Sequence, residues 1–201
     1  MGTIHIDLFT TLDLVAQAPG GRQEDPDGFP FGGWQAPLID ESDGRQVTDN
    51  MRGMDALLLG RRTYDIFAAY WPHQTGEIAD LLNRVPKYVA SRGNPHLTWA
   101  DSAQLGPDLV SAVRSLRDKH EKVHVIGSLN LVQTLLRERL FDQLNLWVYP
   151  IVLGTGKKLF DGGEVPANLT LLEPATTSSR GAVHLRYGLA EGVPATGEMG
   201  A

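Results

Sequence analysis

Met54-Asp55-Ala56-Leu57-Leu58-Leu59-Gly60-Arg61-Arg62-Thr63-Tyr64 is the stretch whose reading decides the fold. Its apolar run up to Leu59 has the near-continuous character of a strand buried on both faces. From Thr63 to Tyr70 the apolar residues recur at helical spacing instead, so the chain predicts a strand that feeds a helix through Gly60. Such a turn, at the carboxyl end of a strand in an open α/β sheet, is where ligands bind, because glycine admits a close backbone approach and the helix start favours negative charge. Here Thr63 offers a hydroxyl and an amide, and Arg61 or Arg62 can grip a phosphate bidentately.

The same alternation continues outward. Thr3 to Phe9 reads as a first strand, with Ile4, Ile6 and Leu8 alternating with His5 and Asp7. Lys87 to Ala90 is a strand, Pro107 to His120 a helix with Leu109, Val113 and Leu116 on one face, and Val123 to Ile126 another strand. Ser128 is then expected to cap a helix whose stripe is Leu131, Val132, Leu135 and Leu136. After Phe141 a long apolar strand from Leu144 to Leu153 is followed by strands at Leu169 to Leu172 and Ala182 to Tyr187 with no helix between them. The expected architecture is α/β, with a mixed, mostly parallel sheet and an antiparallel C-terminal edge. Between Gln17 and Trp34 lies a loop rich in Gly, Pro and Asp, long enough to suggest a lid that Trp34 closes.

Bulk properties narrow the function. The 201 residues, 42% hydrophobic, suit one core: a domain over residues 1–190 and a tail over 191–201 without periodicity. The formal charge of −6 and the absence of a basic block argue against nucleic acid, so any phosphate site must be local. Without cysteine there is no disulfide, thiolate nucleophile or cysteine-bound metal. No apolar run is long enough to span a membrane and no leader pattern is visible, which gives a cytoplasmic expectation.

Two further strand ends join the first as phosphate candidates: Ser91 and Arg92 after Val89-Ala90, and Gly127 and Ser128 after Val125-Ile126. Each alone also fits a solvated turn or a simple helix cap, but three on one edge of a sheet point to a nucleotide. No metal site is expected, because His120 and His124 straddle a helix end and a strand start. A proton donor is sought in Asp13, among Asp40, Glu41, Asp43 and Asp49, or in an ordered water, although an acidic run at a helix start is normally a solvated first turn. Tyr64 and Tyr70 read as core packing, and Trp71, which ends the helix before Pro72, could flank a planar substrate.

The ordered set Thr11-Leu12-Asp13, Gly32-Gly33-Trp34, Leu57 to Tyr64, Lys87 to Ser91, Val125 to Ser128 and Pro150-Ile151-Val152-Leu153-Gly154-Thr155-Gly156-Lys157-Lys158-Leu159-Phe160 resembles the dihydrofolate reductase-like family. It is most similar to stand-alone relatives of the reductase domain of bifunctional riboflavin-biosynthesis deaminase-reductases. The resemblance implies the three-layer dihydrofolate reductase-like fold, NADPH as cofactor, and hydride transfer to a heterocyclic, ribosylamino-pyrimidine or pteridine-like substrate. It implies that Arg61 holds the 2′-phosphate with help from Ser91 and Arg92, that Gly60 and Thr63 face the phosphate linkage, and that Gly127 and Ser128 meet the pyrophosphate; Arg62, beside Arg61, is a further cofactor-binding candidate. Trp34 and Asp13 would then lie near the nicotinamide or substrate; Asp13 is the catalytic candidate, and Trp34, Tyr64 and Trp71 are the substrate-binding candidates. Relatives usually read Ser-Leu-Asp-Gly where this chain has Thr11-Leu12-Asp13-Leu14, so Leu14 is expected to reshape the pocket. The alternatives are a non-catalytic nucleotide- or pteridine-binding module and a reductase of a xenobiotic or specialised metabolite. A homodimer is expected, with Trp147 on the long strand at its interface.

Overall fold

The computed structural model describes residues 1–161 and 165–200. Its strands are β1 (Thr3–Thr11), β2 (Ala56–Gly60), β3 (Lys87–Ala90), β4 (Ser102–Gln104), β5 (Lys122–Ile126), β6 (Gln143–Tyr149), β7 (Leu169–Leu171), β8 (Thr176–Thr177) and β9 (Val183–Leu189). Its helices are α1 (Glu41–Met51), α2 (Arg61–Tyr70), α3 (Glu77–Arg84), α4 (Leu109–Lys119) and α5 (Leu129–Arg137). All the strands join one sheet in the order β4-β3-β2-β5-β1-β6-β9-β7, with β8 also on β9. The pairings among β1 to β6 are parallel, whereas β9 runs antiparallel to β6, β7 and β8, giving the expected mixed sheet and C-terminal edge.

Strand alternation divides the protein into three layers. Ile4, Ile6 and Leu8 of β1 face the same way as Val123, Val125, Leu144 and Leu146, and pack under Val113 and Leu116 of α4 and Leu131, Val132 and Leu135 of α5. On the other face Leu57, Leu59, Ile126, Trp147 and Tyr149 meet Val47 and Met51 of α1, Tyr64 of α2 and Leu82 of α3. Among the described residues no helix is long and apolar enough to cross a membrane.

Several expectations are corrected. The long strand stops at Tyr149 rather than Leu153, because Pro150 has no N–H to continue a ladder. Trp147 is 0% exposed, in the core and stacked on His184 at 4.3 Å, so it cannot form an interface. Tyr70 is 53% exposed rather than buried, whereas Tyr64 is 1% exposed and its hydroxyl accepts from the Trp99 N–H at 3.0 Å.

One residue breaks the apolar rule at the centre of the sheet. Asp7 on β1 is 1% exposed, and its carboxylate accepts from Asn50 Nδ2 of α1 at 2.7 Å and Asn145 Nδ2 of β6 at 2.6 Å. His124 Nδ1 of β5 lies 2.5 Å away and must be the donor, since an ionised carboxylate only accepts. Burial alone would raise its pKa, but the His124 charge and these hydrogen bonds outweigh burial and hold it below the ordinary carboxylate value. Asp7 thus ties two neighbouring strands and α1 to β1.

Removing the carboxylate strands three buried donors, so Asp7→Ala should cost about 3–5 kcal/mol, measurable as a fall in urea midpoint; an unchanged midpoint would contradict the network. His5, beside His124 with ring centroids 5.0 Å apart, has its pKa lowered from 6.5 to about 4 by burial, with the His124 charge adding to the effect. The unfolded chain therefore takes up a proton that the folded one refuses between those values, and stability should fall as pH drops through that window. His5→Gln should flatten the decline between pH 6.5 and 5; an identical slope in both proteins would exclude His5 as its source.

Candidate cofactor and active site

The carboxyl ends of β5, β2 and β3 lie side by side, with Gly60 opposite Ala90. Two of these ends are stitched together. The Gly60 N–H donates to Ser128 Oγ at 3.0 Å, the Ser128 N–H donates to Thr63 Oγ1 at 3.1 Å, and the Gly127 N–H donates to the Asp7 carbonyl at 3.2 Å. Gly127 and Ser128 both have left-handed backbones, φ 61° and 57°. Glycine adopts this freely, while the serine carries a strain on the order of 1–2 kcal/mol.

Ser128 stands at the cap position of α5 as expected, but it makes no capping bond, because its hydroxyl is committed to Gly60. Gly60 cannot cap α2 for want of a side chain. Among the described residues, the N–H groups of Arg61 to Thr63 and of Leu129 to Leu131, at the starts of two helices that open at adjacent strand ends, therefore have no side-chain partner, whereas α1 is capped by Asp40 and α4 by Asp108. The start of α3 at Gly76 also lacks a side-chain cap, but it follows no strand. Paired amide clusters with aligned dipoles form an anion cradle that suits a pyrophosphate.

Around this cradle the arginines differ. Arg61 Nε donates to both oxygens of Asp65 at 2.8 and 2.7 Å, and Arg62 Nη2 reaches Asp27 at 2.5 Å. Ser91 shapes the neighbouring turn, its Oγ accepting from the Gly93 N–H at 3.2 Å. Gln104 Nε2 fastens that turn by donating to the carbonyls of Ser91 and Gly93 at 3.2 and 2.6 Å. Beside it runs an open groove of about 550 Å³ lined by Ser91, Arg92, Gly93, Asn94, Gln104, Leu105 and Pro107.

On the far side of the sheet edge, Asp13 follows β1. Its carboxylate accepts from Thr11 Oγ1 at 2.7 Å and from the N–H groups of Leu153 and Gly154 at 3.2 and 2.9 Å, with Lys158 Nζ at 3.5 Å. The Thr11 hydrogen bond leads the causes that hold its pKa down to about 2, so at neutral pH Asp13 is a fixed acceptor with no proton to give. Leu14 keeps the left-handed turn expected of the glycine it replaces, with φ 64°, and its side chain packs toward the main core. Gly156, at φ 116°, is a true requirement: a Cβ there would lie 2.7 Å from Val15 and 2.9 Å from Phe29.

Residues 17–34 form a folded loop whose ends are clasped by the Gly33 N–H donating to the Ala18 carbonyl at 2.9 Å. Trp34 is 6% exposed, donates Nε1 to the Gln17 carbonyl at 2.9 Å and meets Tyr149 edge-on at 5.7 Å. Tyr149, at the end of β6, accepts from Gln35 Nε2 at 2.8 Å, and burial pushes its phenol up to about 12. The acidic run at α1 is solvated only in part: the Glu41 and Asp49 side chains are exposed, whereas Asp43 is buried. Asp40 caps the helix, accepts from Ser179 as well and is held strongly ionised, the Ser179 hydrogen bond being the largest cause. Asp43 is buried with Oδ1 lacking a partner, and burial, reinforced by the Asp40 charge, raises its pKa. Asp43, Gln35 and Tyr149 are the corner's residues that the sequence did not single out as a group; the Asp40-x-x-Asp43 spacing of a capping box was the available signal. Tyr64 lies beneath the cradle as packing, and Trp71 sits at the opposite end of α2, about 15 Å along the axis from its start.

Comparison with known proteins agrees with this geometry. A family model described as the RibD C-terminal domain matches residues 3–183. The uncharacterized protein YyaP of Bacillus subtilis (strain 168) is 27% identical over 195 residues, covering 92% of this chain and 93% of YyaP. A crystal structure from Shewanella sp. PV-4, of a protein assigned to riboflavin biosynthesis, superposes with a TM-score of 0.72 at 18% identity, over 94% of this chain and 99% of that one. A pyrimidine reductase-like protein from Corynebacterium diphtheriae gives 0.60 at 14% identity, over 95% and 93%. RibD of Acinetobacter baumannii gives 0.64 at 13% identity, and there this chain spans 59% of the longer protein. With a sheet of the same architecture and a family match over nearly its whole length, the chain belongs to the RibD C-terminal domain family.

Proposed function

We propose that the protein is a cytoplasmic, NADPH-dependent reductase that transfers a hydride to an aminopyrimidine- or pteridine-like heterocycle. The observation that carries this reading is the pair of uncapped helix starts, α2 and α5, joined by the Gly60–Ser128 hydrogen bond. Adjacent strand ends are spaced about 4.8 Å apart, so a dinucleotide whose pyrophosphate lies on that cradle can extend one way to Ser91 and Arg92. The other way leads toward the ends of β1 and β6, where Asp13 follows β1 and Tyr149 ends β6 with Trp34 edge-on to it. Gly60, Arg61, Arg62, Thr63, Gly127 and Ser128 would hold the cofactor's phosphates, and a bound nicotinamide would supply the hydride.

The chain's own residues would do the rest. Trp34 and the folded loop keep water from the corner, and Asp13, as a fixed carboxylate, accepts from an amino or ring N–H of the substrate. Asp43 is the acid suited to hold the proton that must follow the hydride, since burial favours its protonated form. The name pyrimidine reductase-like, carried by the Corynebacterium protein, supports the substrate class.

A second copy of the chain is the proposed partner. On β9 and β7, Leu185, Tyr187, Leu189, Leu169 and Leu171 share the face that carries α5 over β6, and Leu171 is still 45% exposed.

NADPH oxidation at 340 nm with a panel of aminopyrimidines and pteridines should show turnover; binding without turnover across the panel would point to the non-catalytic alternative. Asp43→Asn should lower kcat by about 10²–10⁴ with NADPH affinity unchanged, and wild-type kcat should decline as pH rises through the raised Asp43 pKa. Equal kcat in the variant would remove Asp43 from the role. Light scattering should give twice 22.0 kDa, and a mass of 22.0 kDa would contradict the dimer.

A further inference from the structure

Helix α1 opens on two carboxylates three residues apart, and their surroundings are opposite. Asp40 Oδ1 accepts from the N–H groups of Ser42 and Asp43 at 2.8 and 3.0 Å and from the Ser42 hydroxyl at 2.6 Å. Its Oδ2 accepts from the N–H and the hydroxyl of Ser179 at 3.0 and 2.6 Å. A carboxylate with so many donors stays ionised. Asp43 is 1% exposed; its Oδ2 accepts from the Asp40 N–H at 3.2 Å, while Oδ1 is buried without a partner among the described residues.

Two carboxylates that share one capping box do not both ionise readily when one of them is buried. The proton therefore goes to the member with fewer donors. Because Oδ2 is committed to the Asp40 N–H, Oδ1 carries the proton, and that O–H has no acceptor until a substrate ring nitrogen provides one. The groups that surround Asp43 do not offset this. Tyr149 of β6 is neutral, its phenol pushed up to about 12 chiefly by burial. In the turn between β8 and β9 the Ser178 hydroxyl bonds to Asp43, and the Arg180 guanidinium donates to the Pro37 carbonyl. The charge that bears on Asp43 is that of Asp40, which adds to the larger effect of burial in favouring the protonated acid.

Resting on the reading of Asp43 as the acid, we propose that Asp40 is a positioning residue of the reaction: its fixed negative charge, held in place by Ser179 of the β8–β9 turn, keeps the proton on Asp43 Oδ1 for delivery to the substrate. The transfer breaks the Asp43 O–H bond and forms an N–H bond on the heterocycle as the adjacent carbon receives the hydride. The Asp43 carboxylate then regains a proton from water. A turn with no group of its own in the chemistry thereby helps to set the strength of the acid.

Asp40→Asn tests this, because asparagine keeps a capping oxygen for Ser42 and Asp43 and leaves the backbone N–H that Asp43 accepts from unaltered, while the charge is gone. Carboxyl ¹³C NMR of the cofactor-free protein, with the Asp43 signal assigned by its loss in Asp43→Asn, should show the Asp43 titration moved to lower pH. The alkaline limb of kcat should move the same way, lowering kcat by about twofold at the pH of the wild-type midpoint and leaving the acidic plateau unchanged. Ser179→Ala loosens the strap but keeps the charge, so both midpoints should stay in place. An Asp43 titration that is unmoved by Asp40→Asn, or moved as far by Ser179→Ala, overturns the assignment while leaving Asp43 as the acid. A titration that moves without the kcat limb, or an absence of turnover across the substrate panel, overturns the reading of Asp43 as the acid, and the assignment falls with it.

Discussion

A carboxylate buried at the middle of a sheet must be surrounded by donors or the sheet cannot close over it, and Asp7 imposes that condition here. Its partners come from β5, β6 and α1. These are the two strands that flank β1 and the helix that covers them, so satisfying one carboxylate fixes the centre of the strand order and seats a helix of weak apolar character. Lys122 adds to the seat by donating to the carbonyls of Asn50 and Arg52, at 2.7 and 2.8 Å, as α1 ends. The backbone of the same residue reaches the ligand side, since the Asp7 carbonyl accepts from Gly127.

From that anchor the site follows as a matter of where things end. Helix α1 is held at its last turn by Asp7, and its first turn brings the Asp43 charge to bear on Tyr149, against which Trp34 packs. Placing β5 between β1 and β2 sets the Gly127 and Gly60 turns next to each other, although 67 residues separate them in sequence. Ser128 makes use of the proximity. A serine in a left-handed conformation loses the option of capping its own helix comfortably, and its hydroxyl instead joins the two turns, leaving both helix starts open to an anion.

What could be read from the sequence was whatever local pattern decides. The apolar runs of β2, β3 and β5 and the stripes of α4 and α5 are strong enough that tertiary context only confirms them. Helix α1 was not legible, because Val47 and Met51 are its only buried apolar residues and much of its hold on the sheet is the Asn50–Asp7 hydrogen bond. Phosphate candidates were found at Gly60, Ser91 and Gly127 because glycine, serine and arginine at strand ends are visible as residue types. Their division of labour was not, since Arg62 pairs with a loop 35 residues away and Asp13, held ionised first by nearby Thr11, is also bound by amides about 140 residues away. Charge state at this site is a property of the fold, and sequence gives only the list of participants.

The central claim, that the two helix starts joined through Ser128 cradle a dinucleotide, is tested most directly by following backbone amides on addition of NADPH in a ¹H–¹⁵N correlation spectrum. Shifts should concentrate at Arg61 to Thr63, Leu129 and Asn130, and Ser91 to Asn94, and inorganic pyrophosphate should move the first two groups but not the third. Shifts confined to other surfaces, such as the cavity lined by Arg114, Arg117 and Arg139, or no shifts at saturating NADPH, would contradict the account.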